Sequence, residues 1–293
     1  MQDRVVISLV AVDTRPGQLE ENLEKIAHWV GRAAAADAQL VLMPELSLTG
    51  FIPNHPLGDH NAWLRAALQT ARANALKLNS PPIDRLTEIA RRHDLLLSVG
   101  MLEDAGNVLH NTQLLIGGDG LEGYWRKMHV PMFEMPFYNG GDGPRVADTR
   151  LARVGANICF DALLPESTRL LAVQNVEIVL MPFAADPPPG TVAAWTEWAA
   201  PAIRARAAEN GIFVAAVNYV GHVECAGVSQ QFPGGGLVVS PRGQVMANWT
   251  AASGECGMLT ATLNAAELAA ARAEPEYLYR FRRPELYGPL AEG

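Results

Sequence analysis

The chain predicts an α/β fold, a four-layer α-β-β-α sandwich with two similar halves, and two observations carry that expectation. Apolar, strand-length runs alternate with helical patterns along the sequence, and the order of these events occurs twice. Residues 4–23 (RVVISLVAVDTRPGQLEENL) resemble 153–172 (RVGANICFDALLPESTRLLA), and LVLMPE (40–45) resembles IVLMPF (178–183). LLLSVGMLE (95–103) and LLIGGDGLEGYWRK (114–127) then run parallel to IFVAAVNYVG (212–221) and GGGLVVSPRGQVMA (234–247). Two β-rich halves, each covered by helices on one side, bury their remaining faces by packing sheet against sheet.

Strands are expected at 4–11, 38–44, 95–102, 111–117, 153–158, 176–182, 212–218, 235–240 and 257–263. Leu19, Leu23, Ile26, Ala27, Val30 and Ala34 recur at helical spacing, which gives one helix an apolar stripe to lay on a sheet. Further helices are expected at 82–93, behind Pro81-Pro82, at 165–174, with Pro165 in the first turn, and at 192–210, closed by Gly211. Pro201 inside the last should bend or split it. Gly117-Gly118-Asp119-Gly120 turns a hairpin whose outgoing arm sets Trp125 and Lys127 on one face and Arg126 on the other. Residues 52–81 have no counterpart in the second half and read as a loop-and-helix insertion able to cover a pocket. Residues 1–273 are expected to form a single domain. The tail 274–293, with Tyr277, Tyr279, Phe281 and Tyr287, is expected at a subunit interface, with a tail folded back on its own subunit as the alternative.

Composition narrows the function. With 293 residues and 49% hydrophobic content, the chain has ample material for a large core. A net charge of −8 argues against nucleic acid or an anionic membrane surface as the main partner. No apolar run reaches membrane-spanning length, and Met1-Gln2-Asp3-Arg4 leads straight into a strand, so a soluble, cytoplasmic protein is expected. Cys159, Cys225 and Cys256 form no CxxC pair, and the histidines lack ligand spacing, so neither disulfide framework nor metal site is expected. A P-loop motif is missing too, and no cofactor is expected.

Three polar residues resist the apolar pattern. Cys159 sits where a strand pattern gives way to a helix pattern, a junction that holds a sulfur rigidly and offers backbone N–H groups to an oxyanion. The helix dipole there should also lower the thiol pKa. Glu45 ends a fully apolar strand and is followed by LSLTGF, so a carboxylate lands where burial is expected. Lys127 poses the same problem on its hairpin arm. Read singly, each has a plain structural explanation: a packed thiol, a loop-capping glutamate, a snorkelling edge lysine. Read together, they supply a base, a nucleophile and an oxyanion-stabilising cation, each at a strand C-terminal end where α/β sheets place their sites.

At these motifs the sequence resembles the nitrilase superfamily, the carbon-nitrogen hydrolases. Glu45 in LMPELSLTGF, Lys127 in YWRKMHVPMFE and Cys159 in GANICFDALLPE match that family's Glu, Lys and Cys motifs, and the likeness covers nearly the whole chain. The resemblance implies a Glu-Lys-Cys triad on an α-β-β-α sandwich, with Glu134 as an additional active-site carboxylate and the backbone N–H of Phe160 in the oxyanion hole. It implies hydrolysis of a linear, non-peptide C–N bond in a small amide or ureido substrate through a Cys thioester, releasing ammonia, and a homodimer or larger assembly. Nitrile-cleaving members commonly carry Trp-Glu after the cysteine, whereas this chain has Phe160-Asp161, which looks more like the amidase and N-carbamoyl branches. A nitrilase, or a non-catalytic binding or scaffold protein on the same fold, are the alternatives. For the pocket, Tyr138, Phe183, Ala184 and Trp195, or Trp198 in place of Trp195, are the candidate walls. Phe51 and His60 are candidates for a lid, and Asp186 or Asp161 for binding a cationic amine.

Overall fold

The computed structural model describes residues 1–54 and 59–292. In chain order the elements are β1 (Arg4–Ala11), α1 (Leu19–Ala35), β2 (Leu40–Leu42), α2 (His60–Asn74), α3 (Pro81–His93), β3 (Leu96–Asp104), β4 (Leu109–Gly117), β5 (Gly120–Arg126), β6 (Ala147–Asp148) and β7 (Arg153–Ala156). They continue with α4 (Pro165–Ala172), β8 (Ile178–Phe183), α5 (Val192–Asn210), β9 (Phe213–Asn218), β10 (Val220–Cys225), β11 (Val228–Pro233), β12 (Gly236–Val239), β13 (Val245–Asn248), β14 (Gly257–Asn264) and α6 (Ala265–Ala273). One sheet has the order β14-β1-β2-β3-β4-β5 and the other β13-β12-β9-β8-β7-β6, so the second repeats the first strand for strand. In both, a parallel centre is flanked by antiparallel neighbours: β1-β2-β3 in one, β7-β8-β9 in the other.

Side chains alternate across each strand and sort the core into layers. Val5, Ile7, Leu9, Leu40 and Leu42 of one sheet meet Val154, Ala156, Ile178, Leu180 and Phe213 of the other in the central layer. The opposite faces carry Val10, Val41 and Leu97 under α1 and α3, and Val179, Val214 and Val239 under α4 and α5. This is the four-layer sandwich expected from the repeat.

One helix expectation changes in detail. α5 runs unbroken through Pro201. The proline is on the exposed face, as is Glu197, whose carbonyl the missing N–H would have bonded, so solvent can satisfy it. The insertion supplies α2, capped by Asp59, whose side chain accepts from the N–H groups of Asn61 and Ala62 at 3.0 Å. Its Trp63, Ala67 and Ala71 pack against Phe137, Leu102 and Leu109. Residues 55–58 of the same insertion lie outside the described ones.

The tail begins by folding back on its own subunit. The Tyr277 hydroxyl donates to the Asn210 carbonyl at 2.8 Å, and its ring covers Gly211, where an added Cβ would lie 2.5 Å from the ring edge. Tyr279 stacks on Tyr277 and sits beneath the Arg169 guanidinium. Farther along, Phe281, Leu286 and Leu290 are exposed.

Candidate active site

Glu45, Lys127 and Cys159 come from segments far apart in sequence and meet at one end of the sandwich. β2 delivers Glu45 two residues beyond Met43, into a turn over 45–49 that lies against β3. Leu48 N–H donates to the Gly100 carbonyl at 2.7 Å, and Leu102 N–H to Thr49 Oγ1 at 2.9 Å. The approach is so close that a Cβ on Gly100 would stand 2.3 Å from Leu46 N. Only glycine fits there, which fixes where the carboxylate points.

Lys127 extends the β5 ladder by one residue, its N–H donating to the Asn111 carbonyl at 2.8 Å. Alternation then does what the sequence predicts. Arg126 faces the other way and makes a paired contact with Glu103 at 2.8 and 2.5 Å, while Lys127 turns inward and is fully buried. Its Nζ donates to Glu45 Oε1 at 2.8 Å and to Glu134 Oε2 at 2.7 Å. Asn111 Nδ2 also donates to Glu45 Oε1, at 2.6 Å, and Glu45 Oε2 is buried with no partner among the described residues.

Cys159 follows β7 at the start of a 3-10 turn, Cys159–Leu163, and takes a left-handed backbone conformation, φ 49°. Such a φ is costly for a side-chain-bearing residue and persists where its surroundings enforce it. Cys159 is 8% exposed and lines a cavity of about 430 Å³, which Glu134, Phe160 and Ala184 also line.

The electrostatics differ from the helix-dipole expectation. Burial, and next the charge of Glu45, push the Cys159 thiol well above its usual range, while Lys127 and a backbone hydrogen bond from Ala184 pull it down. A 3-10 turn of 5 residues is too short to act as a strong dipole, and burial wins. The resting sulfur is therefore a thiol that needs a base. Lys127 is held well above its usual value: burial works against its charge, but Glu134 and then Glu45 outweigh it. Burial, partly offset by Lys127 and reinforced by Glu45, lifts the Glu134 carboxyl to about 7.

The candidate pocket residues separate into two groups. Ala184 lines the cavity, and so does Trp198. Phe183 and Trp195 are fully buried behind them, Trp195 edge-on to Phe183 at 5.7 Å. The two tryptophans are three apart, so the helix turns one inward while leaving the other 41% exposed at the mouth. Tyr138 packs in the aromatic cluster with Phe137 and does not reach the cavity. Phe51 packs on Phe232, and His60 on Trp63; neither touches the cavity. Asp186 lines it, but Asp161 is buried and engaged by backbone N–H groups, which rules it out as an amine site.

Asn111 was not anticipated. Its signal was present: His110, Asn111, Thr112 and Gln113 interrupt a strand that is otherwise apolar, and all four are buried. Asn54 and Gln230, also lining the cavity, stand on segments with no such mark; the Asn54 N–H donates to Gln230 Oε1 at 3.3 Å.

Fold and site together define a hydrolase of the nitrilase type. The carbon-nitrogen hydrolase family profile matches residues 7–273, and the chain belongs to that family. It is 30% identical over 286 residues to an (R)-stereoselective amidase from Pseudomonas sp., covering 98% of this chain and 94% of that one. It is 26% identical over 312 residues to Nitrilase 3 of Arabidopsis thaliana, covering 97% and 85%. Among solved structures, an amidase mutant from Nesterenkonia sp. AN1, showing covalent addition of the acetamide moiety of fluoroacetamide at its active site cysteine, superimposes with a TM-score of 0.74 at 25% identity. That likeness covers 97% of this chain and 95% of that one.

Proposed function

We propose that the protein hydrolyses a linear amide or N-carbamoyl compound, with Cys159 as nucleophile. The observation that carries this reading is the convergence of a buried Glu45–Lys127 ion pair with a thiol that lines a cavity. Glu45, one of whose oxygens has no partner among the described residues, takes the thiol proton as the sulfur attacks the carbonyl carbon. The tetrahedral oxyanion is held by Lys127 and the Phe160 backbone N–H. Collapse breaks the C–N bond, and Glu45 returns its proton to the leaving nitrogen, so ammonia departs. Water, deprotonated by Glu45, then cleaves the thioester and frees the acid and the thiol. Glu134 shares Lys127 with Glu45 and fixes the ammonium between two carboxylates.

Phe160-Asp161 after the nucleophile supports the amide and carbamoyl side of the family over nitriles. Among the described residues, the cavity wall contains no Lys, Arg or His, while Asp186 stands on it, which favours neutral or amine-bearing substrates over anionic ones. The exposed apolar side chains of the tail, Phe281, Leu286 and Leu290, support a homodimer that covers them.

An ammonia-release screen against amides, N-carbamoyl amines, N-carbamoyl amino acids and nitriles tests the reading. Turnover of an amide or ureido compound, abolished in Cys159→Ala, is the expected result. Turnover of nitriles alone would make the protein a nitrilase, and a biological role that survives Cys159→Ala would make it a non-catalytic member.

A further inference from the structure

Asp161 is a buried carboxylate that the scheme above leaves without a part. Its Oδ1 accepts from the His129 backbone N–H at 2.8 Å and lies 2.8 Å from His129 Nδ1. Its Oδ2 accepts from the backbone N–H groups of Met128 and Ile158, both at 3.2 Å. Met128 follows Lys127 in the chain, and Ile158 precedes Cys159. One carboxylate therefore bridges the segment carrying the cation to the turn carrying the sulfur.

The rest of the neighbourhood is consistent with a fixed joint. On its other side Lys127 is anchored by the Arg126–Glu103 pair, but that anchor stays within the first sheet. Asp161 supplies the link across to the second. The hydrogen bond from Asp161 pulls the His129 ring toward its protonated form, and Ser167 Oγ lies 3.3 Å from the same ring nitrogen. A carboxylate accepts from all of these donors, where an amide would present a donor to donors.

We infer that Asp161, oriented by His129, is a positioning residue that sets the reach from the Lys127 ammonium to the Cys159 sulfur, and with it the reactivity of the thiol. The inference rests on the reading of Cys159 as nucleophile, but its test does not need a substrate. The rate at which iodoacetamide alkylates Cys159, followed by mass spectrometry of the peptide that contains it, reports the thiol directly across pH 6–10.

In Asp161→Asn the alkylation rate should fall at least tenfold and its pH profile should move, while kcat on any accepted amide falls by about 100-fold and KM changes little, the effect of a small misplacement at the reacting atoms. His129→Leu, which removes the ring but keeps every backbone N–H, should slow alkylation by about threefold, the loss of a single hydrogen bond. A folded Asp161→Asn protein that alkylates like wild type overturns the inference. If that variant does not fold, the decision passes to His129→Leu, where an unchanged alkylation profile overturns it. Should no amide be hydrolysed at all, the proposed function fails while the alkylation result still stands on its own.

Discussion

The two halves of the sandwich share a topology and divide the chemistry. The first sheet and its loops supply the charged groups Glu45, Lys127 and Glu134; the second supplies the sulfur and the cavity wall at Ala184. At the aligned positions each half is apolar where the other is reactive: Phe183 stands in place of Glu45, and Val10 in place of Cys159. Strand pairing modifies that alignment. Leu40 lies beside Ile7, whereas Ile178 lies beside Val154, the residue aligned with Val5, so the first pair of strands is offset by two residues between the halves. An even offset keeps every side chain on its face. It also puts Cys159 level with Val12 rather than Val10, just past the end of a strand that stops at Ala156. A duplicated scaffold has thus brought a cation held by carboxylates against a thiol without either half having to hold both.

The sharpest way to break this division is to remove the shared cation. Lys127→Met leaves Glu45 and Glu134 buried against each other, and should cost about 3–5 kcal/mol of stability, the penalty for breaking a buried ion pair from one side. Turnover should fall at least about 10²-fold with loss of the oxyanion contact. Thermal unfolding and an ammonia assay measure the two together. Wild-type stability in this variant would mean that the first half's charges are not coupled as their distances require.

A second comparison lies within α5. Trp195→Ala removes a fully buried indole and should destabilise the fold by about 3–5 kcal/mol, whereas Trp198→Ala should leave Tm nearly unchanged and raise KM. Equal effects from both would contradict the assignment of one to the core and one to the mouth.

What the sequence made legible follows the same line. Strand-length apolar runs, the repeat and the three polar exceptions were visible because burial imposes a pattern and a charge violates it. Trp195 and Trp198 could not be ranked, because a spacing of three places both on one side of a helix without saying which of them the sheet covers. The strands β10 and β11 escaped notice because, like other two-stranded ribbons, they are half exposed: His222 and Glu224 alternate with Val223 and Cys225 in a short stretch. The shift in the Cys159 pKa is hidden from the sequence for a different reason. The dipole depends on the turn that follows, which sequence shows, but burial and the approach of Glu45 depend on distant chain.

Glu134 allows a finer test of the coupling between the halves. Its folded pKa of about 7 lies above its ordinary 4.5, so its contribution to stability is fully present below about 4.5 and is lost as pH rises through about 7. The Tm of wild type relative to Glu134→Gln should therefore decline between pH 4.5 and 8, and the pH profile of Cys159 alkylation should lose an inflection near 7 in the variant. A Tm gap that is flat with pH would show that Lys127 holds Glu134 ionised throughout.

The smallest expected effect concerns Asp186, on the second half's side of the cavity and partly open to solvent. The loop that carries it is pinned one residue earlier, where Asn218 Oδ1 accepts from the Ala185 N–H and Asn218 Nδ2 donates to the Ala185 carbonyl, both at 2.9 Å. The backbone that carries the carboxylate is therefore held at the mouth. Toward a substrate with a terminal amine, Asp186→Asn should lower kcat/KM by about twofold to fivefold, the scale of a solvent-screened ion pair, and the loss should shrink as salt is raised. Toward a neutral amide of equal length the variant should match wild type. An equal loss on both substrates would mean that Asp186 shapes the loop and does not read charge, and the cavity would then select by its apolar walls.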